Sequence, residues 1–341
     1  MKRVVTRPRW LSALAVVASV GLLVACSSAN GSARDAEAAG GAGGGQETEV
    51  RVALIANANN LPLLVADAQG FFAEEGLNVT LEPVQNLGAL AGAMGKQYDL
   101  GSSTIADVIL QQQQGLDLVL ATGVSEESSE NPTVGVLVAA DSPIQSVTDL
   151  AGKKLAAATL GGNLHPSVMN WIIGGGVDPE SVTITEIPFP NMADQLEAGR
   201  VDAVESLEPF RGQLLAAGAR ELVNPVTRIA DPVAFVSLMS TAEFVADNPD
   251  TLESFNRALA TAAAFIESDE GAARSILADR TELPEAVVES VPLPTYTTEI
   301  DPAEVGLWAR VLEENGQLKG PAEDVELASV YPAGAEHQEE G

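Results

Sequence analysis

"RVALIANANNLPLLVADAQGFF" (residues 51–72) and "KLAAATLGGNLHPSVMNWIIGGG" (residues 154–176) share one design. Each opens with a basic residue and a short apolar run, passes through a loop of small and amide residues, and continues into an apolar stretch with helical spacing. Such a run reads as a buried strand, and the stretch after it as a helix covering a sheet. The two segments start 154 − 51 = 103 residues apart. A second pair, "AMGKQYDLGSSTIADV" and "LEAGRVDAVESLEPF", sets Asp99 and Asp202 at the same offset, 202 − 99 = 103. Two matches at one offset predict two lobes built on one α/β plan.

The alternation continues around these segments. "EVRVALIA" (49–56), "NVTLEPV" (78–84), "YDLGSS" (98–103) and "LDLVLATG" (116–123) read as strands. "LPLLVADAQGFFAEEGL" (61–77), "GALAGAMGKQ" (88–97) and "IADVILQQQQG" (105–115) read as helices, the first ending at Gly76. Strands alternating with helices argue for α/β, with a mainly parallel sheet flanked by helices in each lobe. Strands at 133–139 and in "VAFVSLMS" flank the second repeat and are expected to be the two crossover strands. This sets lobe I at 49–137 plus 238–332 and lobe II at 138–237. Helices are expected in 249–268, 270–280, 284–291 and 302–316, packing back on lobe I, with a tail at 333–341.

The first 26 residues differ in character. They hold four basic residues (Lys2, Arg3, Arg7, Arg9), no acidic ones, and the apolar run Leu11–Ala25, the pattern of an export signal. The chain carries 18 basic and 48 acidic residues, so removing this stretch leaves 14 and 48, a net of −34. A surface so acidic repels nucleic acid and anionic headgroups. Cys26 is the only cysteine, so the folded part has no disulfide and no thiol nucleophile. Residues 27–48, rich in Gly, Ala and Ser, read as a flexible tether.

Ligands of open α/β sheets sit beyond the carboxyl ends of strands, where loops turn into helices. Four such loops supply the candidate ligand-binding residues: Asn57, Asn59 and Asn60; Ser102, Ser103 and Thr104; Gly161, Gly162 and Asn163 with His165; and Glu205 and Glu208. Amides and hydroxyls donate and accept hydrogen bonds, and the first N–H groups of a helix carry partial positive charge. Helix capping is the plain alternative for each loop. "TLGGNLH" lacks the lysine of a nucleotide-binding P-loop and does not match G-x-G-x-x-G. His165 has no H-E-x-x-H partner, so neither metal nor cofactor is expected. His165 reads as a capping residue or a cleft-lining hydrogen-bond group. Glu208 reads as a helix-start carboxylate or a ligand contact. Glu205, 205 − 102 = 103 residues after Ser102, is open between the two roles and would favour an amine or ring N–H if it met the ligand. The loops contain no Lys or Arg, so an anion would rest on helix N-termini and hydroxyls.

"LPLLVADAQGFFAEEGLNVTLEP", "VLVAADSPIQSVTDLAGKKLAAATLGGN" and "QLEAGRVDAVESLEPF", in that order over residues 49–320, resemble the substrate-binding proteins of bacterial ABC transporters, in the nitrate/sulfonate/taurine and thiamine-pyrimidine-precursor class. Leu23–Ser28 ("LVACSS") resembles the lipoprotein box, in which the cysteine is lipidated. The resemblance implies a type II periplasmic-binding-protein fold. It also implies a small solute held between the lobes without reaction and partnership with a permease and an ATPase. A monomer anchored through Cys26 at the outer face of the cytoplasmic membrane is expected. Leu207 stands where sulfonate-binding members often carry an aromatic residue before Glu208-Pro209-Phe210, which points away from a sulfonate. An enzyme on the same fold, or a surface sensor, are the competing functions; the pyrimidine-making relatives use a cysteine-rich motif that this chain lacks.

Overall fold

A computed structural model describes residues 47–84, 89–281 and 283–325. The signal, Cys26, the tether up to Gln46 and the tail lie outside the described residues. The first lobe begins with β1 (Thr48–Leu54), α1 (Leu61–Gln69), α2 (Phe71–Glu74), β2 (Leu77–Pro83), β3 (Leu100–Ser103), α3 (Ile105–Gln112) and β4 (Leu118–Glu127). The second contains β5 (Val134–Val138), β6 (Lys154–Ala157), α4 (Leu164–Gly174), β7 (Thr183–Glu186), α5 (Phe189–Glu197), β8 (Ala203–Leu207), α6 (Phe210–Ala216) and β9 (Arg220–Val223). The chain then returns through β10 (Val233–Thr241), α7 (Ala242–Asp247), α8 (Pro249–Ser268), α9 (Glu270–Thr281), α10 (Glu285–Ser290), β11 (Thr295–Tyr296) and α11 (Pro302–Glu314).

The strand orders are β11-β4-β10-β3-β1-β2 in one sheet and β7-β6-β8-β5-β9 in the other. Leaving out β11, the two orders match strand for strand, with β10 and β5 as the antiparallel members. The other strands of each plan run in one direction, as a mainly parallel sheet requires. Bonding repeats as well as order. Asp99 accepts the Arg51 N–H at 2.8 Å and Asp202 accepts the Lys154 N–H at 2.8 Å. In return the Asp99 and Asp202 N–H groups donate to the Arg51 and Lys154 carbonyls.

Three local expectations change. The crossover strands are not divided between lobes at 137/138 and 237/238: β5 lies wholly in the second sheet and β10 wholly in the first. The change of sheet therefore falls in the connectors, Ser128–Thr133 and Asn224–Pro232. A strand lends its full row of N–H and C=O groups to one sheet, so the crossing is left to irregular chain. The helix expected over 61–77 breaks at Gly70, which sits at φ +82°, a conformation that costs glycine little. The helix expected over 88–97 is reduced to one 3-10 turn at Ala91–Ala93; glycines at 88, 92 and 95 weaken an α-helix there. β7, β9 and β11 add strands that the sequence reading does not mark.

α8 has the expected bounds and buries Leu252, Phe255, Leu259, Ala262 and Ile266, the three-to-four spacing of one helix face, against lobe I. α11 behaves differently from the expectation of packing on lobe I alone. It packs on both α3 and α4, and its buried Trp308 and Leu312 join one core that includes Ile105 and Val108 of the first lobe and Leu155 and Val168 of the second. This helix ties the lobes together on one side.

Candidate functional site

In lobe I the asparagine loop is turned inward. Asn57 accepts the Asn60 N–H at 3.2 Å, and the Asn60 amide donates to the Ile55 carbonyl at 3.0 Å. The Ser102 hydroxyl donates to Asn60 Oδ1 at 3.1 Å and the Ser125 hydroxyl to Asn59 Oδ1 at 3.2 Å. Both amides are 2% exposed. Together they tie the ends of β1, β3 and β4. Thr104 caps α3 by accepting the Asp107 N–H at 3.1 Å, and Ser103 beside it is buried.

The second lobe meets this point. Gly162 N–H donates to Asp107 Oδ1 at 2.8 Å, and Asn163 Oδ1 accepts the Ala106 N–H at 3.3 Å. The Asn163 amide also donates to the Ala234 and Phe235 carbonyls of β10, at 3.1 and 3.3 Å. Gly162 adopts φ +74°, which turns the loop so that its N–H faces Asp107 without a side-chain penalty. A Cβ at Gly161 would stand 3.0 Å from Asp107 Oδ1, so the neighbouring glycine allows the close approach. The Ala106 N–H is one of the first-turn donors of α3 that no helical partner can satisfy. Lobe II therefore supplies part of the cap of a lobe I helix.

Asp107 was not anticipated as a site residue. Its signal is the Thr104-x-x-Asp107 spacing of a capping box, read before as plain helix. Burial pushes its carboxyl above the usual range, against the bonds from Gly162 and Thr104 that act to lower it.

Lobe II diverges from lobe I at equivalent positions. Asn163 is 163 − 60 = 103 residues after Asn60, and both occupy a helix N-cap without capping it by side chain. Asn60 stays at its own strand end on Ser102, whereas Asn163 reaches across to lobe I. Glu205, the counterpart of Ser102, is instead bonded by His165, with Nδ1 to Oε2 at 3.0 Å and side-chain exposures of 6% and 2%. Burial pushes the Glu205 carboxyl up, and the His165 bond offsets part of that.

Glu208 takes the first of its two readings. Its Oε1 accepts from Arg211 at 3.0 Å and its Oε2 accepts the Gly212 N–H at 3.1 Å, in the first turn of α6. Arg211 also pairs with Glu221 at 2.6 Å, so this guanidinium is fully engaged. Burial holds the Glu208 carboxyl up while Arg211 draws it down. Among the described residues no three His, Cys, Asp or Glu side chains converge as metal ligands would. A cavity of about 300 Å³ lies elsewhere on lobe I, between Leu259, Ala263, Tyr296 and Thr298, and none of the twelve candidate residues lines it.

Residues 57–273 match the family described as NMT1/THI5 like. A Bacillus subtilis (strain 168) protein named for binding aliphatic sulfonates is 27% identical over 284 residues, covering 82% of this chain and 80% of the relative. The riboflavin-binding protein RibY of Chloroflexus aurantiacus is 24% identical over 222 residues, 62% of this chain and 60% of that one. Among solved structures, the alkanesulfonate-binding protein SsuA of Xanthomonas axonopodis pv. citri, bound to MOPS, superposes with a TM-score of 0.71 at 20% identity, covering 85% of this chain and all of that one. The nitrate-binding protein NrtA of Synechocystis PCC 6803 gives 0.66 at 15% identity, over 84% and 86%. The desulfurization enzyme DSZB shares the fold at 0.58 and 17% identity, over 84% and 97%. The chain belongs to the NMT1/THI5-like family and has the two-lobed fold of the sulfonate- and nitrate-binding proteins.

Proposed function

We propose that the chain is the extracytoplasmic solute-binding component of an ABC importer, capturing a small organic or oxyanionic solute between its lobes and handing it to a permease and its ATPase. One observation carries this reading: the bonds of Asn163 and Gly162 to Ala106, Asp107 and β10 join the lobes at the ends of strands where each repeat has its helix N-terminus. Such bonds are few and polar, so they can open and be replaced by bonds to a solute. A solute that bridges the same groups stabilises the closed arrangement, and a permease reads that arrangement. The relatives named for binding sulfonates, nitrate and riboflavin support capture of a solute. A desulfurization enzyme on the same fold shows that the fold alone does not exclude chemistry. Absence of reaction is supported by the sequence, whose one cysteine precedes the folded part.

The test is a melting screen with alkanesulfonates, nitrate, aminopyrimidines, aromatic acids and polyamines. A true ligand at 100 times its Kd adds about 2.7 kcal/mol. Asn163→Ala and Ser102→Ala are expected to weaken that ligand, and unchanged affinity in both refutes the placement of the site. The lipobox-like "LVAC" further supports a membrane anchor on Cys26 and a position at the outer face of the cytoplasmic membrane. Radiolabelled palmitate should enter the chain in a bacterial host and should not enter the Cys26→Ser variant.

A further inference from the structure

His165 and Glu205 form a buried pair whose second ring nitrogen is unspent. Nδ1 is taken by Glu205, and Nε2 makes no hydrogen bond to another described residue. The imidazole keeps 6% of its surface open. It sits in the first turn of α4, two residues after Asn163, whose side chain crosses to lobe I. The ring therefore borders the place where the lobes meet.

The proton count of the pair decides what it offers a solute. A carboxylate beside an imidazole with one proton between them carries a net negative charge. At 2% exposure such a charge loses most of its solvation. Burial also favours the neutral form of the Glu205 carboxyl. The uncharged pair holds two protons, one between Oε2 and Nδ1 and one on Nε2. Nε2 is then a donor.

We propose that His165 is the solute-contacting donor of lobe II, presenting Nε2–H to a carbonyl oxygen or oxyanion, with Glu205 as its positioning residue. This rests on the solute-capture reading above and names the group that reading leaves open. An arriving anion draws the shared proton from Oε2 to Nδ1, so an imidazolium faces the solute and a carboxylate remains behind it. No proton leaves the pair and none enters. The site thereby gains a cation without a lysine or an arginine, and the charge is present when the solute is. A bare Glu205 would favour an amine; bonded to His165 it favours an acceptor.

The experiment uses the full chain labelled with ¹⁵N. Its only two histidines are His165 and His337, so a His337→Ala variant assigns the ring. Nitrate, ethanesulfonate, hexanesulfonate and benzoate are the acceptor probes, and ethylammonium and 4-aminopyrimidine the donor probes. Near neutral pH the free wild-type chain is expected to show a protonated Nε2, and an acceptor probe that binds should shift it. His165→Phe should weaken that probe by about tenfold or more, the scale of one charge-assisted hydrogen bond. Calorimetry in two buffers of different ionisation enthalpy should show no proton exchange on binding to the wild type and proton uptake in Glu205→Gln. An Nε2 without a proton, or donor probes binding in place of acceptors, overturns the proposal, and the first needs no variant to fold. Binding of an acceptor probe with wild-type affinity by folded His165→Phe overturns this proposal alone. Binding of no probe by the wild-type chain overturns solute capture and this proposal together.

Discussion

The Glu127 carboxylate at the end of β4 accepts the side-chain N–H of Asn224 at 2.6 Å, and so joins the two connectors between the lobes. The same buried carboxylate accepts the Thr133 N–H at 2.8 Å, the Thr133 hydroxyl and the Val134 N–H at 3.4 Å. Both crossings thus hang on one side chain. Burial pushes its carboxyl up, opposed by every one of these bonds.

Glu127→Ala leaves these buried donors without a partner. The expected loss of stability is at least about 3 kcal/mol by urea unfolding, since each orphaned buried group costs roughly 1–3 kcal/mol. A double-mutant cycle with Asn224→Ala should give a coupling of about 0.5–3 kcal/mol. A loss under about 1 kcal/mol would mean that water replaces the carboxylate, and the connectors would not depend on it.

Asn163→Ala and Asn60→Ala remove equivalent residues with different consequences. Each should lower stability by about 1–3 kcal/mol. Only Asn163→Ala removes bonds between lobes, so only it should enlarge the radius of gyration of the ligand-free chain in X-ray scattering. Equal scattering profiles for the two variants would count against a lobe-joining role for Asn163.

Glu304 gives the stability curve a slope with pH. It accepts the Ala234 N–H at 3.0 Å, and Ala234 in turn accepts from Asn163. Burial, helped by Glu126 and Asp301 and opposed by the Ala234 bond, pushes its carboxyl from 4.5 up to about 7. Within that window the native chain holds a proton that the unfolded chain has released, so stability falls as pH rises. Gln at this position keeps the acceptor and cannot ionise. Glu304→Gln should melt about 2–4 °C higher than wild type at a pH near 8 and nearly level with it near 5. The same difference at both pH values would show that charge is not the cause.

Arg211→Ala strips the partner from Glu208 and Glu221 at once. Removing one member of a buried ion network is expected to cost about 3–5 kcal/mol, largely from the carboxylates left behind. Differential scanning calorimetry of Arg211→Ala against Arg211→Lys separates charge from geometry; lysine should recover only part of the loss, because it cannot hold two carboxylates in the planar fork.

Much of the fold was legible in short-range pattern. The bounds of α8 follow from Pro249 at its first turn and an apolar residue every three or four positions, and both are local properties. The 103-residue offset of Arg51 and Asp99 from Lys154 and Asp202 marked the duplication, and the reciprocal bonds repeat it in three dimensions. The candidate loops were legible for the same reason, as the small polar residues between a strand and a helix.

What each loop residue does was not legible. Asn60 and Asn163 are the same residue at the same position of a repeat, yet one bonds inward and the other crosses to β10, 71 residues away. Glu205 and Glu208 lie three residues apart on one segment, and only the packed structure gives one a histidine 40 residues distant and the other an arginine beside it. The sequence by itself determined the elements and their duplication, because periodicity and capping act over a few residues. Tertiary structure alone decided the partners, because a buried polar group must find its hydrogen bond wherever the fold brings one within reach.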